Sequence, residues 1–180
     1  MTRFDFGQPV GGMIQVAYTV PDIDTAMKAW TERVGIGPWF VRGPFTPPGA
    51  RYRDLPTAPT LTLARAFNGH TMIELVRQHD DGPSVYRDVI EGQGRGHGFH
   101  HIAIGVHDFD AAVTGHRRAG AEVVFTDTLP TGARVAYVDT TDILPGMVEI
   151  VEMNEAQERV YTDIHLASVG WDGTDPVREG

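Results

Sequence analysis

The chain has 180 residues, 41% hydrophobic and 22% charged, with a formal net charge of −9 and no cysteine. That length bounds it to one good-sized domain or two small fused modules. The acidic balance argues against a nucleic-acid or anionic-membrane partner, which would want a basic face, and the absence of cysteine excludes disulfides and thiolate-held metals.

Met1 to Gly12 carries no basic-then-apolar signal pattern, and no apolar run approaches the roughly 18 residues of a membrane helix. A cytoplasmic protein is the expectation. Met13 to Val20 reads as a strand, with Val16, Tyr18 and Val20 on one face and Gln15, Ala17 and Thr19 on the other. Asp22 or Asp24 caps a following helix that holds Ala26, Met27, Trp30 and Val34 at helical spacing and stops at Gly35. Gly37 to Gly43 reads as a short strand, and a Pro- and Gly-rich loop runs on to about Pro59. Thr60 to Phe67 and Thr71 to Arg77 form a hairpin across Asn68-Gly69, a strong turn signal between strand-like runs.

Pro83 to Ile90 is expected to be a short helix, followed by a glycine-rich connector from Gly92 to Gly98. That connector leads into a strand, whereas a phosphate loop must open a helix. Phe99 to Val106 is a strand, Asp108 to Ala119 a helix stopped by Gly120, and Glu122 to Thr126, Arg134 to Asp139 and Met147 to Glu152 three more strands. Asn154 to about Ser168 is a closing helix. The tail from Gly170 contains Gly, Asp and Pro and is expected to be mobile unless Trp171 pins it.

The chain repeats itself. Laying Gln15 on His101 also lays Ala17 on Ala103, Val20 on Val106, Asp22 on Asp108, Asp24 on Asp110 and Ala26 on Ala112. Internal repeats decide architecture. The expected fold is α+β, two tandem βαβββ modules in one domain: module one about 13–78, a linker about 79–98, module two about 99–153, and a C-terminal helix and tail at 154–180.

Each copy ends in a strand with one carboxylate among aliphatics, Ile73-Glu74-Leu75 and Val148-Glu149-Ile150. If the aliphatics pack on the helices, parity turns both glutamates to the opposite face, and the same argument turns Gln15 and His101 there. Taken singly, a strand glutamate is ordinarily solvated and a lone histidine is ordinarily hydrogen-bonded. The coincidence in register is what carries weight. One amide, one imidazole and two carboxylates brought together would be costly to bury unpaired. A divalent cation would satisfy all four, and one nitrogen with three oxygens suits Zn²⁺, Ni²⁺, Co²⁺, Mn²⁺ or Mg²⁺.

Val20-Pro21-Asp22-Ile23-Asp24-Thr25-Ala26, Gly98-Phe99-His100-His101-Ile102-Ala103 and the two Glu-bearing strands resemble the vicinal oxygen chelate superfamily of glyoxalases, epimerases, bleomycin-resistance proteins and extradiol dioxygenases. The resemblance covers roughly Met13 to Met153 and is nearest the epimerase-like branch. It implies two curved sheets meeting in a cup with a metal at its base, held by Gln15, Glu74, His101 and Glu149. Gln15 stands where many relatives have histidine, which counts against Fe(II) dioxygenase chemistry. His100 faces away from His101 and is expected to hydrogen-bond at the module junction, while His70, His97, His107 and His116 are read as surface or loop residues.

The expected activity is metal-assisted proton transfer next to a carbonyl of a small or thioester substrate, by an isomerase, epimerase or lyase, with Glu149 and Glu74 as candidate bases. Trp39, Phe40, Tyr52, Phe67 and Tyr137 are candidates for the cup's wall, though core packing is the usual fate of such residues. Arg51, Arg53, Arg117 and Arg118 are candidates for its rim. A homodimer is expected. The rival reading is a bleomycin-resistance-like protein that sequesters a ligand without chemistry.

Overall fold

The computed structural model describes residues 2–92 and 97–180. Strand β1 (Met13–Thr19) leads into helix α1 (Ile23–Val34), β2 (Trp39–Phe45), two short strands β3 (Arg51–Tyr52) and β4 (Leu55–Pro56), β5 (Leu61–Asn68) and β6 (Thr71–Gln78). Helix α2 (Val85–Gly92) precedes β7 (Gly98–Val106), α3 (Phe109–Arg118), β8 (Glu122–Thr128), β9 (Arg134–Asp139), β10 (Met147–Glu152), α4 (Glu155–Ser168) and β11 (Val177–Glu179).

The repeat is visible at the helix starts. Asp22 Oδ1 accepts from the Thr25 amide at 2.9 Å, and Asp108 Oδ1 accepts from the Ala111 amide at 2.9 Å. Each such cap contributes about 1 kcal/mol by satisfying an orphan donor of the first turn. Helix α1 ends at Gly35, whose φ of 76° lies in the left-handed region that favours glycine.

All eleven strands join one curved, unclosed sheet in the order β11-β2-β5-β6-β1-β7-β10-β9-β8-β3-β4. Its centre is the antiparallel β1–β7 seam, and each of these strands runs parallel to the last strand of its own copy, β6 or β10. The modules are therefore mirrored in strand order about the seam.

Helices α1 and α3 cover the convex face. Ile23 and Met27 pack on Trp39, Ala64, Ala66, Ile73 and Leu75. Phe109 and Val113 pack on Ala136, Val138, Val148 and Ile150. Each large apolar side chain buried this way contributes roughly 1.5–3 kcal/mol, and that burial fixes strand parity. The residues between these aliphatics must then face the concave side.

Three segments depart from the expected pattern. The Pro/Gly-rich loop folds into the β3–β4 hairpin, which pairs with the outer edge of the other module through Arg51↔Thr126 and Tyr52↔Phe125. Two-residue strands carry no hydropathy period, so nothing local announces them. The tail forms β11, parallel to β2, and the Trp171 ring covers Gly37, where a β-carbon would come within 2.4 Å of it. The N-terminal segment inserts Phe4 and Phe6, stacked at 5.3 Å, into the core beside Phe67 and Tyr161. Most of the expected glycine-rich connector lies outside the described residues. No helix among those residues is long and apolar enough to cross a membrane.

Candidate functional site

The sheet register brings the four candidate ligands together. Ala17 pairs with His101 across the seam and with Glu74 on its other side, while Ala103 pairs with Gln15 and with Glu149. The two alanines are equivalent in the repeat, and both are fully buried. Their small side chains leave room on the concave face for the four longer ones around them.

The heads of those four converge. Gln15 Nε2 donates to Glu74 Oε2 at 3.1 Å and lies 3.4 Å from Glu149 Oε2 and 3.1 Å from His101 Nε2. His101 Nε2 is 3.2 Å from Glu149 Oε2 and 3.8 Å from Glu74 Oε2. All four residues are buried. Among the described residues, no group of three or more histidine, aspartate and glutamate side chains is arranged to hold an ion by itself. Here the Gln15 amide nitrogen occupies the middle.

Hydrogen-bond accounting shows what the cluster lacks. Gln15 brings two amide hydrogens to three acceptor groups, and its own Oε1 is buried without a partner. The imidazole orientation is set from behind. His100 Nε2 lies 3.1 Å from the Val85 carbonyl, which can only accept, so that nitrogen carries the hydrogen. Burial, then the neighbouring His101, hold the His100 pKa down to about 3, so the ring is neutral and its Nδ1 accepts from His101 Nδ1 at 2.7 Å. With its hydrogen on Nδ1, His101 turns Nε2 toward the cluster. A turned Gln15 amide would add Oε1, giving one nitrogen and three oxygens. That set fits a divalent cation.

Arg65, on β5, meets Glu74 across the hairpin, and its Nε donates to Glu74 Oε1 at 2.7 Å. Burial alone would lower the guanidinium pKa, but Glu74 and, more weakly, Glu149 raise it above its ordinary value. One Glu74 oxygen is therefore committed to Arg65, and the other faces the cluster.

Above the cluster opens a cavity of about 340 Å³ whose polar floor includes Glu74, Glu149, Arg65, Tyr86 and Tyr137. Gln15 and His101 lie beneath it. The Tyr86 and Tyr137 hydroxyls are 3.1 Å apart, and burial first, then the two carboxylates, hold both pKa values above the ordinary phenol range. The Tyr137 ring meets His101 edge-on with centroids 5.0 Å apart.

Of the expected wall residues, Tyr137 lines the cavity. Trp39 and Phe67 are core, Phe40 packs beneath Arg178, and Tyr52 donates to Asp88. Phe45, Phe125 and Tyr86 line it instead. The register holds a signal for part of this: Tyr137 stands opposite Glu149, and Phe125 opposite Tyr137. None of the expected rim arginines lines the cavity. Arg53 is held by Tyr52 and Asp88, Arg51 by the Asp54 carbonyl, and Arg117 and Arg118 are exposed on α3. Arg42 and Arg65 take that place.

The fold is shared with solved structures. A methylmalonyl-CoA epimerase from Mycobacterium tuberculosis aligns over 79% of this chain and 87% of its own, at 21% identity and a TM-score of 0.56. A hypothetical protein from Bacillus halodurans aligns over 80% and 95%, at 18% identity and a TM-score of 0.57. A Streptomyces coelicolor methylmalonyl-CoA epimerase variant in complex with 2-nitronate-propionyl-CoA aligns over 79% and 97%, at 16% identity and a TM-score of 0.54. No curated protein matches the sequence. Residues 14–137, from β1 into β9, match the family described as the glyoxalase/bleomycin resistance protein/dioxygenase superfamily, and the chain belongs to it.

Proposed function

We propose that the protein is a divalent-metal-dependent isomerase, epimerase or lyase that moves a proton next to a carbonyl of a small or thioester substrate. The observation that carries this reading is the acceptor-rich cluster of Gln15, Glu74, His101 and Glu149 at the floor of a cavity of substrate size. Those four residues would hold the ion. When bound, it supplies Lewis acidity to a substrate oxygen and so acidifies the neighbouring carbon.

The chain's own groups divide the remaining work. Glu149 is the freer carboxylate, with no guanidinium on it, and it lines the cavity, so it is the one that loosens its hold when substrate binds and takes the proton. Glu74 is tied to Arg65 and serves to hold. Tyr86 and Tyr137 share one hydroxyl proton between them, which leaves the other available to a substrate oxygen. The prolines and aromatics of the wall exclude water.

Two measurements test the reading together. Elemental analysis of the purified protein should give one divalent ion per chain. In D₂O, NMR should show deuterium entering the carbon next to the carbonyl of a substrate such as methylmalonyl-CoA. A chain that carries no stoichiometric ion and takes up none on soaking would instead be a ligand-sequestering protein.

A further inference from the structure

The cavity wall carries charges that proton transfer does not use. In the β2–β5 pair Phe40 stands opposite Arg65 and Arg42 opposite Leu63, so Arg42 and Arg65 are diagonal neighbours on one face. Such neighbours are roughly 7–8 Å apart at the backbone. Both line the cavity. Arg65 commits its Nε to Glu74, and nothing among the described residues accepts from its two terminal nitrogens. The Arg42 side chain makes no hydrogen bond or ion pair among the described residues. Its guanidinium lies over the Phe45 ring, 4.1 Å from the centroid.

Two guanidiniums side by side against an apolar wall repel each other. Burial, then the nearby Arg65, lower the Arg42 pKa, and Asp127 only partly offsets them. Asp127 lines the same cavity beyond ion-pair reach of Arg42, with Oδ1 buried and unpartnered, and burial raises its own pKa. Asp163 and Gly180 line a hollow that the two arginines share, and no ion pair joins either to them. Each guanidinium presents a flat fork of donors that matches a carboxylate. The same cavity also has an apolar lining: Phe45, Leu61, Leu63, Phe125 and Val135.

We infer that the cavity takes an organic carboxylate with a compact apolar body, its anionic end accepting from Arg42 and the terminal nitrogens of Arg65 and its body against Phe45, Phe125 and Leu61. The inference deepens the proposed function by naming the substrate class of the same site. It rests on that reading only for what happens to the body over the floor, because the anion contact needs no ion at the cluster.

The test is calorimetric titration of the full chain after treatment with a chelator, using phenylacetate, its neutral isostere phenylacetamide, and inorganic phosphate as probes. Phenylacetate should bind at least about tenfold more tightly than either other probe, since a charge-assisted pair is lost in the amide and the apolar contact is lost in phosphate. Arg42→Gln should weaken phenylacetate at least about tenfold and leave phenylacetamide unchanged, with an unaltered melting temperature showing that the variant is folded. Arg42→Lys, which keeps the charge and loses the fork, should recover part of the loss. Equal binding of acid and amide, binding of neither, phosphate matching phenylacetate, or an Arg42→Gln variant that binds as the parent does would each overturn the inference. Since the cluster is stripped in this experiment, a failure of metal uptake or proton exchange elsewhere leaves its result standing.

Discussion

Replacing Arg65 with methionine removes the guanidinium bonded to Glu74 while roughly preserving side-chain volume. The pair is 2.7 Å apart, with Arg65 18% and Glu74 4% exposed, so solvent screens little of it. Breaking a buried pair from one side leaves an uncompensated charge and costs about 3–5 kcal/mol. For a chain of this size 1 kcal/mol moves the midpoint by about 2–4 °C, so the variant should melt roughly 6–20 °C lower. Replacing both partners, Arg65→Met with Glu74→Leu, should recover most of that, because apolar replacement of a whole buried pair is close to neutral. The assay is a double-mutant cycle from thermal and urea unfolding in chelator-containing buffer. Adding a divalent cation should restore part of the Arg65→Met loss, since the ion supplies the missing positive charge. A single variant that loses less than about 1 kcal/mol, or a double variant as unstable as the two singles summed, would refute the assignment of Glu74 as a buried charge held by Arg65.

Glu149→Gln should slow deuterium exchange by about 10²–10⁴-fold while the melting temperature stays near the parent's, as expected for loss of a general base. His100→Phe keeps the ring packed on Tyr86 but removes the group that orients His101, and it should weaken metal affinity about 10–100-fold in a chelator-dye competition. Asp80 accepts from the Thr60 and Gly82 amides, and although burial works to raise its pKa, those bonds hold it down to about 2, against 3.8 for the free group. The stability it contributes is complete above the unfolded value of 3.8 and is lost as pH falls toward about 2. Urea titrations across that window should show a fall in stability that Asp80→Ala flattens.

Much of the site was legible because it depends on parity and repetition, which a sequence states directly. The Asp22/Asp108 caps, the Ala17/Ala103 pair and the two Glu-bearing strands lie at equivalent places in both copies, and the aliphatics flanking each glutamate fix which face it takes. Arg65 was not legible this way, because the loop is Gly69-His70 with Asn68 opposite Thr71, whereas a turn on Asn68-Gly69 would set Arg65 opposite Met72 instead of Glu74. Arg42 was one strand further out, and its face depends on a pairing between β2 and β5 that no local turn dictates. Tyr86 reaches the floor from α2, whose docking is a tertiary event. The β3–β4 hairpin and β11 are too short to show a period, and each exists because a distant strand edge was available to it. Rim arginines sought among exposed basic clusters failed for a related reason: those side chains already had local partners or faced water.

The two outermost strands of the sheet are both very short. One end closes with three residues, Val177–Glu179, and the other with two, Leu55–Pro56, where the proline has no amide hydrogen to offer. Strands this short are poor templates for a neighbour, and natural sheets are blunted against edge-to-edge growth in this way. Ribbon-like stacking of molecules through the backbones of these two end strands is thereby disfavoured.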